Sequence, residues 1–195
     1  MRTLEENDFI RAAERLECSV AAVKAVCEVE APAGGFDNKG MPRILFEGHV
    51  FSRLTFGVYD AAWPTLSFRK WTRDHYTRGS SADVRNEGEH RRLNAAAALD
   101  RDAALMSASW GKFQILGENW RMAGYDSLQK FVNAMYLNEG EHLNAFVGFV
   151  QSRGLVGALQ TRNWAKFARG YNGPAYAENQ YDVKLAVAYR KHGGG

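Results

Sequence analysis

The sequence predicts a mainly α-helical protein, a single globular helical domain with at most a small β-sheet beside its functional cleft. Three observations predict it. Apolar residues recur at three- and four-residue spacing through most of the chain, the period of amphipathic helices. Only one short run, Arg43-Ile44-Leu45-Phe46-Glu47, reads as a candidate strand, and it could equally begin a buried helix. The 195 residues also contain no internal repeat, low-complexity linker or second compositional zone, so one domain accounts for the length.

Taken in order, Thr3 followed by Glu6 has the capping-box pattern, and Phe9, Ala12, Ala13 and Leu16 then recur on one face, predicting a helix over about 4–15. Ser19 can cap a second helix in which Val20, Val23, Val26 and Cys27 share a face. Pro32 disfavours helical geometry at the residue before it and Gly34-Gly35 breaks the chain, so this helix ends near Glu30-Ala31. Residues 55 to 85 have no clean period, and Trp63, Pro64, Trp71 and Gly79-Ser80-Ser81 suggest a long irregular excursion, a feature that in a compact domain is usually functional. An alanine-rich helix is expected from about Glu87 to Ala104. Ser109 to Ile115 reads as a break followed by a new helical start. Leu128, Phe131, Val132 and Met135 mark one further helix, and Leu143, Phe146, Val147 and Val150 mark another. A shorter one around Trp164–Arg169 leads into Tyr171-Asn172-Gly173-Pro174, and a last helix spans about Ala175 to Arg190. The domain is expected to cover 1–192, with Gly193-Gly194-Gly195 as a flexible tail.

Composition bounds the function. Hydrophobic residues at 46% and charged residues at 24% are the balance of a folded protein. A domain of this size buries roughly 70% of its unfolded surface, so it requires neither a disulfide nor a metal for its core. Cys18 and Cys27 lie nine positions apart on or beside one helix, on the order of 13 Å, too far for a disulfide. They read as small core residues of a protein folded in a reducing compartment. A net charge of +3 and a pI near 8.9 would favour an anionic surface such as a cell wall, yet fall short of a nucleic-acid signature. No apolar run reaches bilayer-spanning length, and Met1 to Arg11 is acidic and polar rather than ordered like a signal peptide. No nucleic acid and no stable membrane insertion are therefore expected; a monomer without a cofactor is the accompanying expectation.

The most informative carboxylates are Glu28 and Glu30. Cutting a glycosidic bond needs a carboxylic acid that stays protonated near neutral pH, and a second group that steadies oxocarbenium-like charge or activates water. A Glu at the end of an apolar helix suits the first role, because partial burial raises a carboxyl pKa. Glu28 follows Cys27 and sits poorly on the apolar face, whereas Glu30 abuts the Pro/Gly loop. A Glu ending a helix is also, by itself, an ordinary solvated surface group.

Ala25-Val26-Cys27-Glu28-Val29-Glu30-Ala31, the glycine-rich loop after it, and Pro42-Arg43-Ile44-Leu45-Phe46-Glu47-Gly48-His49 resemble the N-acetylmuramidase family of phage endolysins. The resemblance continues through Ser107-Ala108-Ser109-Trp110-Gly111-Lys112-Phe113-Gln114-Ile115, Tyr171-Asn172-Gly173-Pro174 and Asn179-Gln180-Tyr181-Asp182, covering almost the whole chain. More widely it extends to lysozyme-like α+β folds, including goose-type lysozymes and lytic transglycosylases. It implies Glu30 as the catalytic acid and Glu47 as the second acidic position. A Glu beside His49 can equally be a structural hydrogen-bond hub. The family's usual residue after the catalytic Glu is Ser, and Ala31 lacks that hydroxyl.

The resemblance further implies that Ser109, Trp110, Gly111 and Gln114 line the substrate cleft. Gly111 would admit a sugar close to the backbone, and Gln114 would fix an acetamido or hydroxyl group. The same residues also read as a capped helix start with a packing Gln. Tyr171 and Asn172 resemble the pair that faces the catalytic Glu, and also an ordinary loop before a proline turn. Among Trp63, Trp71, Trp110, Trp120 and Trp164, one or two sugar-stacking platforms are possible, with Trp110 singled out by its motif.

Other classes fit less well. His49, His75, His90, His142 and His192 form no H-E-x-x-H pair, against a zinc amidase. No G-x-S-x-G elbow is present, although a Ser-His-Asp triad is set by geometry rather than order. A non-catalytic wall-binding module is usually much smaller. A lytic transglycosylase would use Glu30 alone and release 1,6-anhydro products. If Glu47 is the partner, a carboxyl separation of roughly 6.5–9.5 Å implies inversion and roughly 5–5.5 Å retention. The expected substrate is the β-1,4 bond from N-acetylmuramic acid to N-acetylglucosamine in peptidoglycan, cut for host-cell lysis. The resemblance implies synthesis in the host cytoplasm and holin-dependent release to the wall, and the sequence, with no separate wall-binding module in it, fits a stand-alone lysin for a thin, Gram-negative-type wall.

Overall fold

The computed structural model describes residues 3–31 and 34–195, so Pro32, on which the end of the second helix was argued, lies outside the described residues, as does the start of the N-terminal segment. Ten α-helices and three short strands are found among the described residues. The expected mainly α architecture with one small sheet is what forms.

Helices α1 (Glu6–Leu16) and α2 (Val20–Glu30) open the chain. The reciprocal cap of α1 falls on Glu5 and Asp8 rather than on Thr3 and Glu6, with the Asp8 carboxylate accepting from the Glu5 N–H at 3.0 Å. Ser19 caps α2 as expected, its hydroxyl accepting from Ala22 N–H at 3.2 Å. The last helix, α10 (Tyr181–Lys191), lies along α2, with Ala22 and Ala25 packed against Ala188 and Tyr189. The small alanines let the two helices approach closely. Lys191 and His192 close on Glu28, which is thereby an exposed ion-pair partner.

Strand β1 (Ile44–Phe46) pairs antiparallel with β2 (Ala108–Trp110), which pairs antiparallel with β3 (Ile115–Leu116). The expected helical start at 109–115 is therefore a hairpin. Its turn contains Gly111 at φ +68° and Gln114 at φ +50°, left-handed conformations that cannot sit inside a helix. The register sets Ile44 opposite Trp110 and Leu45 opposite Ser109. Side chains alternate across a sheet, so Ile44, Phe46, Ala108 and Trp110 enter the core while Leu45 and Ser109 share the other face.

After β1 come α3 (Gly48–Leu54), the irregular stretch, and α4 (Ala82–Ala97), whose first turn extends into the range expected to be irregular. The single helix expected over 87–104 is two, because Asp100 caps a new one, α5 (Arg101–Met106), by accepting from Ala103 N–H at 3.0 Å. Helices α6 (Leu128–Met135) and α7 (Glu139–Ser152) follow, then α8 (Val156–Gln160) and α9 (Trp164–Asn172). Pro174–Asn179 is a 3-10 turn, so the last helix starts at Tyr181 rather than near the expected Ala175. Helix α7 is buried nearly all round and serves as the central post, with Leu143, Phe146, Val147 and Val150 meeting Phe131, Met135 and Phe167 in one core. Residues 193–195, read from sequence as a tail, fold back: Gly194 N–H donates to Tyr189 O at 3.0 Å and Gly195 O accepts from Arg162. Cys18 and Cys27 are free, and burial pushes both thiols up to about 11.

Candidate active site

A cleft of about 400 Å³ opens between the end of α2, β1, the 111–114 turn, α4 and the 76–77 segment. Glu30, the last residue of α2, lines it together with Ala31, Gly34, Gly111 and Gln114. Burial pushes the Glu30 carboxyl up from its ordinary value, against smaller lowering effects of Asn172 and Lys184. The negative end of the α2 dipole works in the same direction, since it disfavours a carboxylate at a helix C-terminus. Asn172, at the end of α9, donates from Nδ2 to Glu30 Oε1 at 2.8 Å. Oε1 is thus held as an acceptor, which leaves Oε2 to carry the proton.

Tyr171 stands beside this pair. Its hydroxyl donates to Phe113 O at 3.1 Å and its ring packs against Phe146, Phe149 and Phe167. Burial, then the charge of Glu30, holds the phenol above its usual range. Tyr171 therefore fixes the end of α9 to the hairpin and, through it, the amide of Asn172.

The loop after Glu30 and the hairpin turn share one anchor on α7. Glu139, buried, accepts from Gly35 N–H at 2.6 Å. His142 bonds Met135 O through Nε2 at 2.8 Å and accepts from Lys112 N–H at Nδ1 at 3.0 Å. Burial pushes the His142 pKa down, consistent with a neutral ring that donates on one side and accepts on the other. A Cβ on Gly35 would lie 2.4 Å from His142 Nδ1, and one on Gly111 would lie 2.8 Å from it. The two glycines are thus needed for close approach to this ring. Sequence reading missed Glu139 and His142, whose only sequence signal is a three-residue spacing that sets both on one face of a helix.

The second acidic position is differently built. Glu47 lies between β1 and α3, at the N-cap of α3, its N–H donating to Ser107 O at 2.9 Å. Its side chain is 15% exposed, with Oε2 accepting from the Tyr76 hydroxyl at 2.5 Å and His49 Nδ1 lying 3.5 Å from the same oxygen. Tyr76 in turn lines the cleft. Burial, then Glu47 itself, holds the Tyr76 phenol above its usual range, so it remains a donor. A third carboxylate, Glu89, was not anticipated. It is buried on α4, accepting from Phe46 N–H at 3.0 Å, Thr77 N–H at 2.7 Å and Arg92 at 2.8 Å, and so pins β1 to the 76–77 segment.

The sequence-derived site residues divide. Glu30, Asn172 and Tyr171 come together, and Gly111 and Gln114 line the cleft with Glu30. Gln114 donates from Nε2 to Gly111 O at 2.8 Å and Arg43 O at 3.3 Å, bracing the turn with its amide nitrogen. Ser109 is half-buried on the Leu45 side of the sheet. Trp110 is not a cleft residue. It is 1% exposed, and its indole N–H donates to Leu105 O at 3.0 Å, so no sugar can reach its ring. The pleat that turns Ile44 inward turns Trp110 inward with it. Among the described residues, no group of three or more His, Cys, Asp or Glu could hold a metal ion, and no helix is long and apolar enough to cross a membrane.

The chain as a whole resembles known proteins. A family model described as N-acetylmuramidase matches residues 19–193. Among solved structures, the crystal structure of the Burkholderia AP3 phage endolysin is 41% identical, covering 98% of this chain and 72% of that chain with a TM-score of 0.88. No curated protein matches the chain.

Proposed function

The chain belongs to the N-acetylmuramidase family and is a peptidoglycan hydrolase of the muramidase type, and from that premise we propose that Glu30 is its general acid and Glu47 its assisting carboxylate. The observation that carries the reading is Glu30 itself, half-buried at a helix end, raised in pKa, and held by Asn172 at one oxygen. Protonated Oε2 gives its proton to the glycosidic oxygen between N-acetylmuramic acid and N-acetylglucosamine. The C1–O bond breaks, and oxocarbenium-like charge develops on the muramic ring. Glu47, with Oε2 held by Tyr76, has Oε1 left to steady that charge or to take a proton from the attacking water. Water then bonds to C1. Where Glu47 takes its proton, Glu47 releases that proton to solvent and Glu30 regains one; where Glu47 only steadies the charge, Glu30 takes the proton from the water itself.

Gly111 and Gln114 bind substrate from the hairpin turn, Ser109 supports the turn from the sheet, and Tyr171 and Asn172 orient the acid. The enzyme acts as a monomer in host lysis, as a phage endolysin made in the host cytoplasm and released to the wall through a holin. Likeness to the Burkholderia phage endolysin supports the phage assignment.

Mass spectrometry of digested glycan strands tests the chemistry. Wild type is expected to leave reducing muramic ends, and Glu47→Gln to slow their release by about 10²-fold or more. Anhydro-muramic ends would overturn the two-carboxylate reading in favour of a single-glutamate transglycosylase, and an unimpaired Glu47→Gln enzyme that still leaves reducing ends would overturn the role of Glu47 alone.

A further inference from the structure

Resting on the reading of Glu47 as the assisting carboxylate, we propose that Trp71 is a stacking platform for a sugar ring of the glycan, and that Tyr76 ties this platform to Glu47. Trp120 and Trp164 pack partly buried against the core, as Trp110 does fully. Trp63, 45% exposed, borders a separate hollow with Arg91 and Arg92. Trp71 is 56% exposed, and its indole N–H donates to the Tyr76 hydroxyl at 3.1 Å. That hydroxyl donates onward to Glu47 Oε2 at 2.5 Å, from a residue that lines the cleft.

The exposed indole is held in place although its outer face contributes nothing to the core. Its segment is pinned on one side where Phe68 packs onto Gly48, a contact so close that a Cβ there would lie 2.3 Å from the ring. On the other side Thr77 N–H is bound by Glu89 at 2.7 Å. Between the pins, Asp74 N–H bonds the Thr72 hydroxyl at 3.2 Å, and the Arg73 guanidinium lies 5.4 Å from the indole centroid. A ring fixed in this way has little conformational entropy to lose when a ligand covers it. Pyranose rings present a C–H face that is apolar, and an aromatic ring of fixed orientation beside a cleft is the surface that such a face covers best.

The relay adds a second consequence. Because the Tyr76 oxygen accepts from Trp71, its single proton is committed to Glu47. Glu47 Oε2 is therefore occupied, and Oε1 has no hydrogen-bond partner among the described residues. A sugar seated on Trp71 braces the indole, the phenol and the carboxylate together.

Steady-state kinetics on soluble glycan strands separates the two parts. Trp71→Ala should raise KM about tenfold, and Trp71→Phe, which keeps a ring but loses the N–H, should raise it less and lower kcat. Tyr76→Phe should lower kcat several-fold with KM unchanged, and adding Trp71→Phe to it should lower kcat no further. To guard against a variant that fails to fold, the same strands are titrated into Glu30→Gln. Its tryptophan fluorescence should change on binding, and the change should vanish in Glu30→Gln/Trp71→Phe. An unchanged KM in folded Trp71→Ala, or an undiminished fluorescence change, overturns the platform. An unchanged kcat in Tyr76→Phe overturns the tie. Full activity in Glu47→Gln would instead remove the reading beneath, while KM at Trp71 would still decide the platform.

Discussion

At the scale of single residues, the proposed acid is set by its place more than by its partners. Glu30 ends α2 where burial and the helix dipole both disfavour its charge, and Asn172 offsets only part of this. A carboxyl whose pKa is raised in the fold binds its proton more tightly there than in the unfolded chain. Stability contributed by the neutral form is present below the unfolded glutamate value, about 4.3, and is lost as pH rises through the raised native value. Glu30→Gln keeps an oxygen to accept from Asn172 and carries no charge. Thermal melts from pH 4 to 8 should therefore coincide at the acid end, with the Gln variant melting higher at neutral pH. A lower melting temperature at pH 7 would show that the carboxylate is not disfavoured there. Glu30 and Asn172 were legible in the sequence through motifs carrying a helix end and a turn. Trp110 was misplaced because a three-residue strand shows no alternation that could tell its inward face from its outward one.

At the scale of elements, the hairpin from β2 to β3 decides where the cleft wall stands. Its turn depends on Gly111, which combines a left-handed φ of +68° with close approach to His142. Gly111→Ala should cost about 1–3 kcal/mol from backbone strain, before any displacement of the ring. A melting temperature within experimental error of wild type would contradict this role. Strands of three and two residues carry too little pattern to be read from sequence, and glycine at 111 is compatible with either a helix break or a hairpin turn. The division of α4 from α5 was missed for a related reason: the alanine run favours helix throughout, and only the local cap at Asp100 breaks it. Long periodic helices such as α2, α6 and α7 were legible, because a buried stripe repeated over several turns leaves little ambiguity.

At the scale of the molecule, the cleft gathers residues from distant parts of the chain around α7. Glu139 and His142 hold the loop after Glu30 and the hairpin turn, Glu89 holds β1 against the 76–77 segment, and α9 brings Asn172. Such long-range partners have no periodic signature, so the sequence pointed to Glu30 as a candidate and not to the residues that hold the cleft around it. The central claim is that all this serves one proton on Glu30. The most direct measurement is the rate of reducing-end release from purified peptidoglycan by Glu30→Gln, alongside its thermal melt. A folded variant slowed by about 10²- to 10⁴-fold is the predicted result. A folded Glu30→Gln enzyme that releases reducing ends at the wild-type rate would contradict it.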